Sequence, residues 1–331
     1  MGGNAISNAR RMWAEDYEVL SSTILSLINA RFPGLQVARL VSYEAKSDFG
    51  NLSLVVTKQD PETMKQVRKF LLFELNTGEP VTTGEHIAID YRGAQVDFDF
   101  VSQEDAAMFI AYHACNGLGG IIGKVARSLG LVLRPTELVY RLKDGFRLIE
   151  DVVVADNWSD TLTKLGYDAS RWQQGFKTPK DIFAYVVSSP FFQFEFVMDE
   201  LMEDAKYRST LAQDFVEYLR TAPMAPNQQE YSKEPAAVLQ RLFTAIPGFE
   251  SLYQAAVERG EQAQARSQAV RALYNGSLVS QWTGRRGYEL GVLLRHIEEG
   301  FGGKDALENW VLASNSDAIR QKVLETAASP A

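Results

Sequence analysis

Gln95-Val96-Asp97-Phe98-Asp99-Phe100 is the stretch on which the fold of the first third of this chain turns. In an extended strand successive side chains point to opposite faces, so Val96, Phe98 and Phe100 share one face and Asp97 and Asp99 the other. The apolar side turns to a core. Two like charges side by side on the remaining face are costly unless a cation, a base or open water compensates them. A solvated sheet face meets that condition, and so does an acid/base or divalent-metal site. Magnesium suits carboxylates of this kind better than zinc. Asp97 and Asp99 are thus the candidate catalytic and metal-binding residues.

Upstream of this run, His86 to Tyr91 is also strand-like, and Arg92-Gly93 makes the turn of a hairpin with Gln95 to Val101. Leu35 to Val41 and Leu52 to Thr57 are further strand-like runs. Met12, Leu20, Ile24, Leu27 and Ile28 predict an amphipathic helix stopped by Pro33-Gly34, and Met64, Val67, Phe70 and Leu71 predict another over Pro61 to Phe73. Helices and strands alternating in this way make an α+β unit over 1–102. Past Ser102 the pattern becomes mainly helical. Glu104 to His113 and Ile121 to Leu129 read as helices around a Gly-rich break, Asn116 to Gly120. Thr178-Pro179-Lys180-Asp181 reads as an N-cap, a proline at the first helical position and an acidic first turn. A further helix is expected over 199–220. The Pro-, Gln- and Ala-rich 221–235 reads as a linker, which leaves a helical middle region at 103–220 and a helical C-terminal region at 236–331.

At 331 residues, 46% hydrophobic and 23% charged, the chain has room for two domains with their own cores. One cysteine, Cys115, excludes an internal disulfide and a thiolate metal cage, and three histidines argue against a His-rich zinc site. A net charge of -8 argues against a strongly cationic coat for nucleic acid while leaving room for a local basic cleft. No apolar run of about 18 residues and no signal-peptide pattern is found, so a soluble, cytoplasmic chain without a membrane partner is expected.

The second telling segment runs from Ser42-Tyr43-Glu44-Ala45-Lys46-Ser47-Asp48-Phe49-Gly50 into Asn51-Leu52-Ser53-Leu54-Val55-Val56. Small and flexible residues precede a buried strand on which Asn51 and Ser53 share a face. A turn, a strand and a later strand bearing an acidic residue, in that order, resemble the DNA polymerase beta-type nucleotidyltransferase superfamily. The similarity is greatest to nucleotidyltransferase-like proteins encoded by bacteriophages. Gly2-Gly3-Asn4-Ala5 resembles their start, Leu40 to Lys46 their phosphate turn with its downstream lysine, and Asp97 their third catalytic carboxylate. Asn116-Gly117-Leu118-Gly119-Gly120-Ile121-Ile122-Gly123-Lys124 resembles a turn-and-helix segment of theirs. Asn275-Gly276-Ser277-Leu278-Val279 and Trp282 to Gly291 are similar to their helical tail and to a segment of tRNA nucleotidyltransferases and poly(A) polymerases.

The resemblance implies a mixed-sheet nucleotidyltransferase domain, magnesium with a nucleoside triphosphate, and a nucleotide, nucleic-acid or protein partner. In active members the strand after Gly50 would open Asp-x-Asp, and those carboxylates with the third hold two metal ions. Asn51 and Ser53 stand there instead, offering oxygens without the charge, and Val41 replaces the turn glycine, leaving only Ser42 of that pair. A makeshift metal site could draw on Asp48, Asp97 and Asp99. Ser42, Lys46, Asn51 and Ser53 are the candidate nucleotide contacts. Lys124 and Arg127, three apart on one helical face, and Arg134 are candidates for a phosphate groove. Arg285 and Arg286 beside Trp282 could meet a nucleic acid or pack as ordinary helical tail.

Three readings follow. One is a degenerate member that binds without transferring, with or without a cofactor. Another is an active magnesium-dependent enzyme moving a nucleoside monophosphate to an RNA 3′ end, a small molecule or a protein hydroxyl. The third is a structural or virion-assembly protein.

Overall fold

Strand pairing around Asp97 organises the computed structural model, which describes residues 5–203, 210–221 and 234–328. Strand β1 (Met12–Trp13) enters helix α1 (Ala14–Arg31). Strands β2 (Val37–Arg39), β3 (Asp48–Phe49) and β4 (Leu52–Thr57) follow, then helix α2 (Pro61–Phe70), which runs on into one π-helical turn, Leu71–Leu75. Strands β5 (Val81–Thr83), β6 (His86–Tyr91) and β7 (Ala94–Val101) complete a sheet ordered β2-β4-β7-β6-β5. β4 and β7 are parallel and the other neighbours antiparallel, while β1 pairs with β3 separately.

The expected hairpin is present. Arg92 and Gly93 both take left-handed backbone, at φ 55° and 82°, the paired-positive turn whose twist matches a two-residue hairpin. Period-two alternation then sorts the faces. Leu52, Leu54 and Val56 of β4, Ile87 and Ile89 of β6, and Val96, Phe98 and Phe100 of β7 form one core. It also includes Ile24 and Ile28 of α1 and Met64, Val67 and Phe70 of α2. Ser53, Gln95, Asp97 and Asp99 are left on the opposite face.

Helix α3 (Ala106–Ser128) packs against β4 and carries a break in its middle. Ala114 is extended and Cys115, Asn116 and Gly117 have φ of 52°, 59° and 97°. The break therefore begins two residues before the Gly-rich stretch where the sequence put it, and Gly119 and Gly120 belong to the helix. Gly119 is there for contact: a Cβ would come within 2.3 Å of the Tyr112 carbonyl oxygen.

The helical expectation for 103–220 misses a three-stranded antiparallel sheet, β8 (Leu131–Leu133), β9 (Leu138–Asp144) and β10 (Arg147–Ala155). Helices α4 (Trp158–Lys164), α5 (Ala169–Gln173), α6 (Pro179–Val187), α7 (Phe194–Glu203) and α8 (Thr210–Thr221) follow. Thr178 and Asp181 form the reciprocal capping box that starts α6. Of the helix expected over 199–220, 204–209 lie outside the described residues, as do 222–233 of the expected linker and the Gly2-Gly3-Asn4 start. Phe192 is buried near Phe215 of α8.

The chain divides into two compact units, Met1–Leu252 and Tyr253–Ala331. Helix α9 (Pro235–Ala245) belongs to the first, and α10 (Phe249–Leu273) runs from it into the second. There α10 is followed by α11 (Gly276–Thr283), α12 (Gly287–Gly300), α13 (Lys304–Ala313) and α14 (Ser316–Ala328). The second unit has its own core of Val270, Val279, Leu293, Ile297, Leu307, Val311, Ile319 and Val323, with Trp282 packed against it. The architecture is thus mixed α/β, with sheets in the first half and helices after them. Among the described residues α3 alone has the length and hydropathy of a membrane span, a candidate the sequence count passed over. Half of that apolar window is buried in the protein, and its helix is broken at 114–117.

Candidate functional site

Parallel pairing of β4 with β7 sets Ser53 opposite Asp97, and Asn51, two residues earlier, falls on the same face. The three side chains meet. Asn51 Nδ2 donates to Asp97 Oδ2 at 2.5 Å and to Ser53 Oγ at 2.7 Å. A carbonyl oxygen turned toward the carboxylate would set two acceptors against each other, so the amide nitrogen belongs there. Gln95, two residues before Asp97 on the same strand face, donates through Nε2 to Asp97 Oδ1 at 2.8 Å. Its own Oε1 accepts from the backbone N–H groups of Ala5 and Ile6, both at 3.0 Å. Each Asp97 oxygen therefore accepts from a side-chain amide.

Asp97 is 7% exposed. Burial raises its pKa above the usual carboxylate value. The hydrogen bonds from Gln95 and Asn51 and the charge of His86 act against that rise, and the charge of Asp99 adds to it. Asp99 is less enclosed and meets His86 Nδ1 at 2.8 Å, while His86 Nε2 lies 4.0 Å from Asp97 Oδ1.

Over this floor opens a cleft of about 570 Å³, lined by the Val41–Tyr43 turn, Lys46, Asn51, Ser53 and the left-handed Asn116-Gly117. The break in α3 builds its wall, because Cys115 N–H donates to the Val41 carbonyl at 2.8 Å and ties the two segments together. Lys46 Nζ donates to Asn116 Oδ1 at 2.8 Å and lies 4.3 Å from the centre of the Phe49 ring. Burial, with the Arg11 charge assisting, pushes its pKa down to about 8 against the opposing charge of Asp48. Ser42 Oγ is enclosed and has no hydrogen-bond partner among the described residues. His113 also lines the cleft, with its pKa lowered by burial despite the charge of Asp99.

Not every residue singled out in the sequence arrives here. Ser42, Lys46, Asn51 and Ser53 line the cleft. Asp97 lies beneath, bonded to Asn51, and Asp99 is turned to His86. Asp48 is engaged by Arg11, with Nε–Oδ1 at 2.9 Å and Nη2–Oδ2 at 2.6 Å. Lys124 and Arg127 do share a helical face, but it turns to Glu200 of α7, at 3.5 and 2.6 Å, and lines no part of the cleft. Arg134 is held by Glu137 and Asp151. Arg285 reaches the Ala327 carbonyl within the second unit.

Two magnesium ions would require carboxylate oxygens from β4 as well as β7. Asn51, just before β4, offers an amide and Ser53 on it a hydroxyl, and the amide presents its nitrogen. No group of three or more His, Cys, Asp or Glu among the described residues is arranged to hold a metal ion, so Asp48, Asp97 and Asp99 do not form a shared site. The donor set does not fit that metal pair.

Sequence reasoning passed over Gln95 and His86, though both left a signal. Gln95 shares a face with Asp97 by the period of two, and counting the hairpin back from Arg92-Gly93 sets His86 opposite Asp99. Comparison with models of known protein families gives no match to this chain. A search of curated proteins likewise gives no significant match.

Proposed function

We propose that this chain is a nucleotidyltransferase-type protein without transfer chemistry, and that its cleft binds the phosphate end of a nucleotide without a metal ion. The observation that carries the reading is the Asn51–Ser53–Asp97 cluster. The position that calls for three carboxylates has one, and both oxygens of that one are taken up by side-chain amide hydrogen bonds. A buried carboxylate satisfied in this way is a structural group and a poor metal ligand.

The walls of the cleft suit an anion better than the floor suits a metal. Lys46 supplies an amine in the wall, charged below about pH 8, and Ser42 an enclosed hydroxyl with donor capacity to spare. Hydroxyl and amine donors of this kind make charge-assisted hydrogen bonds to phosphate oxygens. Nucleic acid reaching the same cleft through a terminal phosphate is included in this chemistry.

Calorimetric titration with each nucleoside triphosphate, with and without magnesium, tests the proposal alongside a labelled-nucleotide transfer assay. Binding that does not depend on magnesium, with no transfer, is the expected outcome. Magnesium-dependent transfer abolished by Asp97→Ala would overturn the first half of the proposal. Absence of binding under every condition would overturn the second and turn attention to protein partners.

A further inference from the structure

Lys46 is the lysine in the cleft wall, and its surroundings are unusual for a surface amine. Lys58, Lys124, Lys164 and Lys304 each pair with a carboxylate, at 3.1, 3.5, 2.8 and 3.8 Å, and the other described lysines that have no ion pair are exposed, whereas Lys46 is half-buried. Lys46 has no such ion pair among the described residues. Its partners are neutral: the Asn116 amide oxygen at 2.8 Å and the face of Phe49 at 4.3 Å. The nearby charges, Arg11 and Asp48, are locked in a salt bridge with each other and act on Lys46 in opposite directions. Burial remains as the main influence, and it favours the uncharged amine. A partly desolvated lysine without a counter-ion is the usual setting of a nucleophilic amine. The 570 Å³ cleft gives a small reagent access to it.

We propose that Lys46 is a covalent acylation site for a small activated acyl donor, an acyl phosphate or an acyl thioester. The uncharged Nζ attacks the carbonyl carbon and an N–C bond forms. The C–O or C–S bond to the leaving group breaks, phosphate or thiolate departs with the electron pair, and the proton lost from nitrogen passes to solvent. No oxidant or reductant is required. The surroundings select this product over others. An amide is neutral and retains one N–H for Asn116 Oδ1. A neutral imine has no N–H to donate, and a protonated imine keeps the charge that burial disfavours. Acylation would also remove the cleft's lysine charge, though the assignment stands on the surroundings of Lys46 whether or not a phosphate ligand binds.

The test is limited acetylation of the intact chain, followed by peptide mass spectrometry with the exposed Lys65 and Lys69 of α2 as internal references. Acetyl phosphate and a small acetyl thioester are used in separate arms, and the faster arm identifies the donor class. At pH 7.4 Lys46 is expected to react about tenfold faster than the references, since its larger neutral fraction outweighs its lower intrinsic nucleophilicity. Its rate should level off above about pH 8, while the reference rates keep rising. Arg11→Met, which leaves Asp48 unopposed, should slow Lys46 several-fold at pH 7.4. A Lys46 rate no greater than the references with both donors, still climbing at pH 10, would overturn the assignment.

Discussion

Replacing Asn51 by aspartate is the sharpest perturbation of the sheet floor. The amide nitrogen it removes lies 2.5 Å from Asp97 Oδ2, so the new carboxylate would face the old one across a hydrogen-bond distance. With charge centres about 4 Å apart and an effective dielectric near 20, the repulsion is about 4 kcal/mol. Capture of one proton by the pair sets a ceiling on the cost. Holding a proton at pH 7 on a group with an ordinary value near 4 costs about 1.4 kcal/mol per unit, again about 4 kcal/mol. The sign with pH follows. The pair's folded pKa is raised, so the penalty is full above it and shrinks as pH falls, to about 1.4 kcal/mol at pH 5. Urea unfolding of the parent and Asn51→Asp between pH 5 and 8 measures this directly. A penalty under about 1 kcal/mol at pH 7, or one that is flat with pH, would refute the arrangement of Asn51 and Asp97.

Three further substitutions probe separate features. Asp97→Asn should lose most ground to the parent at low pH, because the raised carboxyl of the parent binds its proton more tightly when folded and gains stability as pH falls. A parent–variant gap unchanged from pH 7 to pH 4 in denaturant midpoints would count against it. Gly119→Ala drives a methyl into the Tyr112 carbonyl and ring, at 2.3 and 2.7 Å, and should cost about 1–3 kcal/mol in urea unfolding; a neutral result would mean that α3 is looser than described. Thr178→Ala removes one half of the α6 capping box and should cost about 1 kcal/mol, with Thr178→Ser recovering most of it in thermal melts.

What the sequence revealed was whatever local geometry encodes. The Asp97/Asp99 alternation, the Arg92-Gly93 turn and the Thr178 cap each depend on neighbours a few residues away, and all three stand in the structure. The β9–β10 hairpin was hidden because its distal half is exposed and mixed in charge, with Lys143, Asp144, Phe146 and Arg147 all at the surface. Solvent relaxes the alternation there on which strand recognition depends. Lys124 and Arg127 show the other limit. Their shared helical face was legible, but its partner, Glu200, lies 73 residues beyond Arg127, where no local pattern can announce it. The same holds for Asp48, a candidate for a makeshift metal site, whose carboxylate is taken by Arg11 from just before β1. Long-range partners decide what a charge does.

The bonds from Ala5 and Ile6 to Gln95 have a consequence for synthesis of the chain. They join residues 90 and 89 positions apart, so the segment at Ala5 and Ile6 finds its place only after the central strand has been made. At translation rates of about 5–20 residues per second, that interval is roughly 5 to 20 s. In the second half of it Asn51 and Ser53 have been made without their partner, which lies 46 residues beyond Asn51. The amide that steadies the carboxylate is itself steadied by Ala5 and Ile6, which makes the floor of the cleft depend on segments some ninety residues apart being in place together.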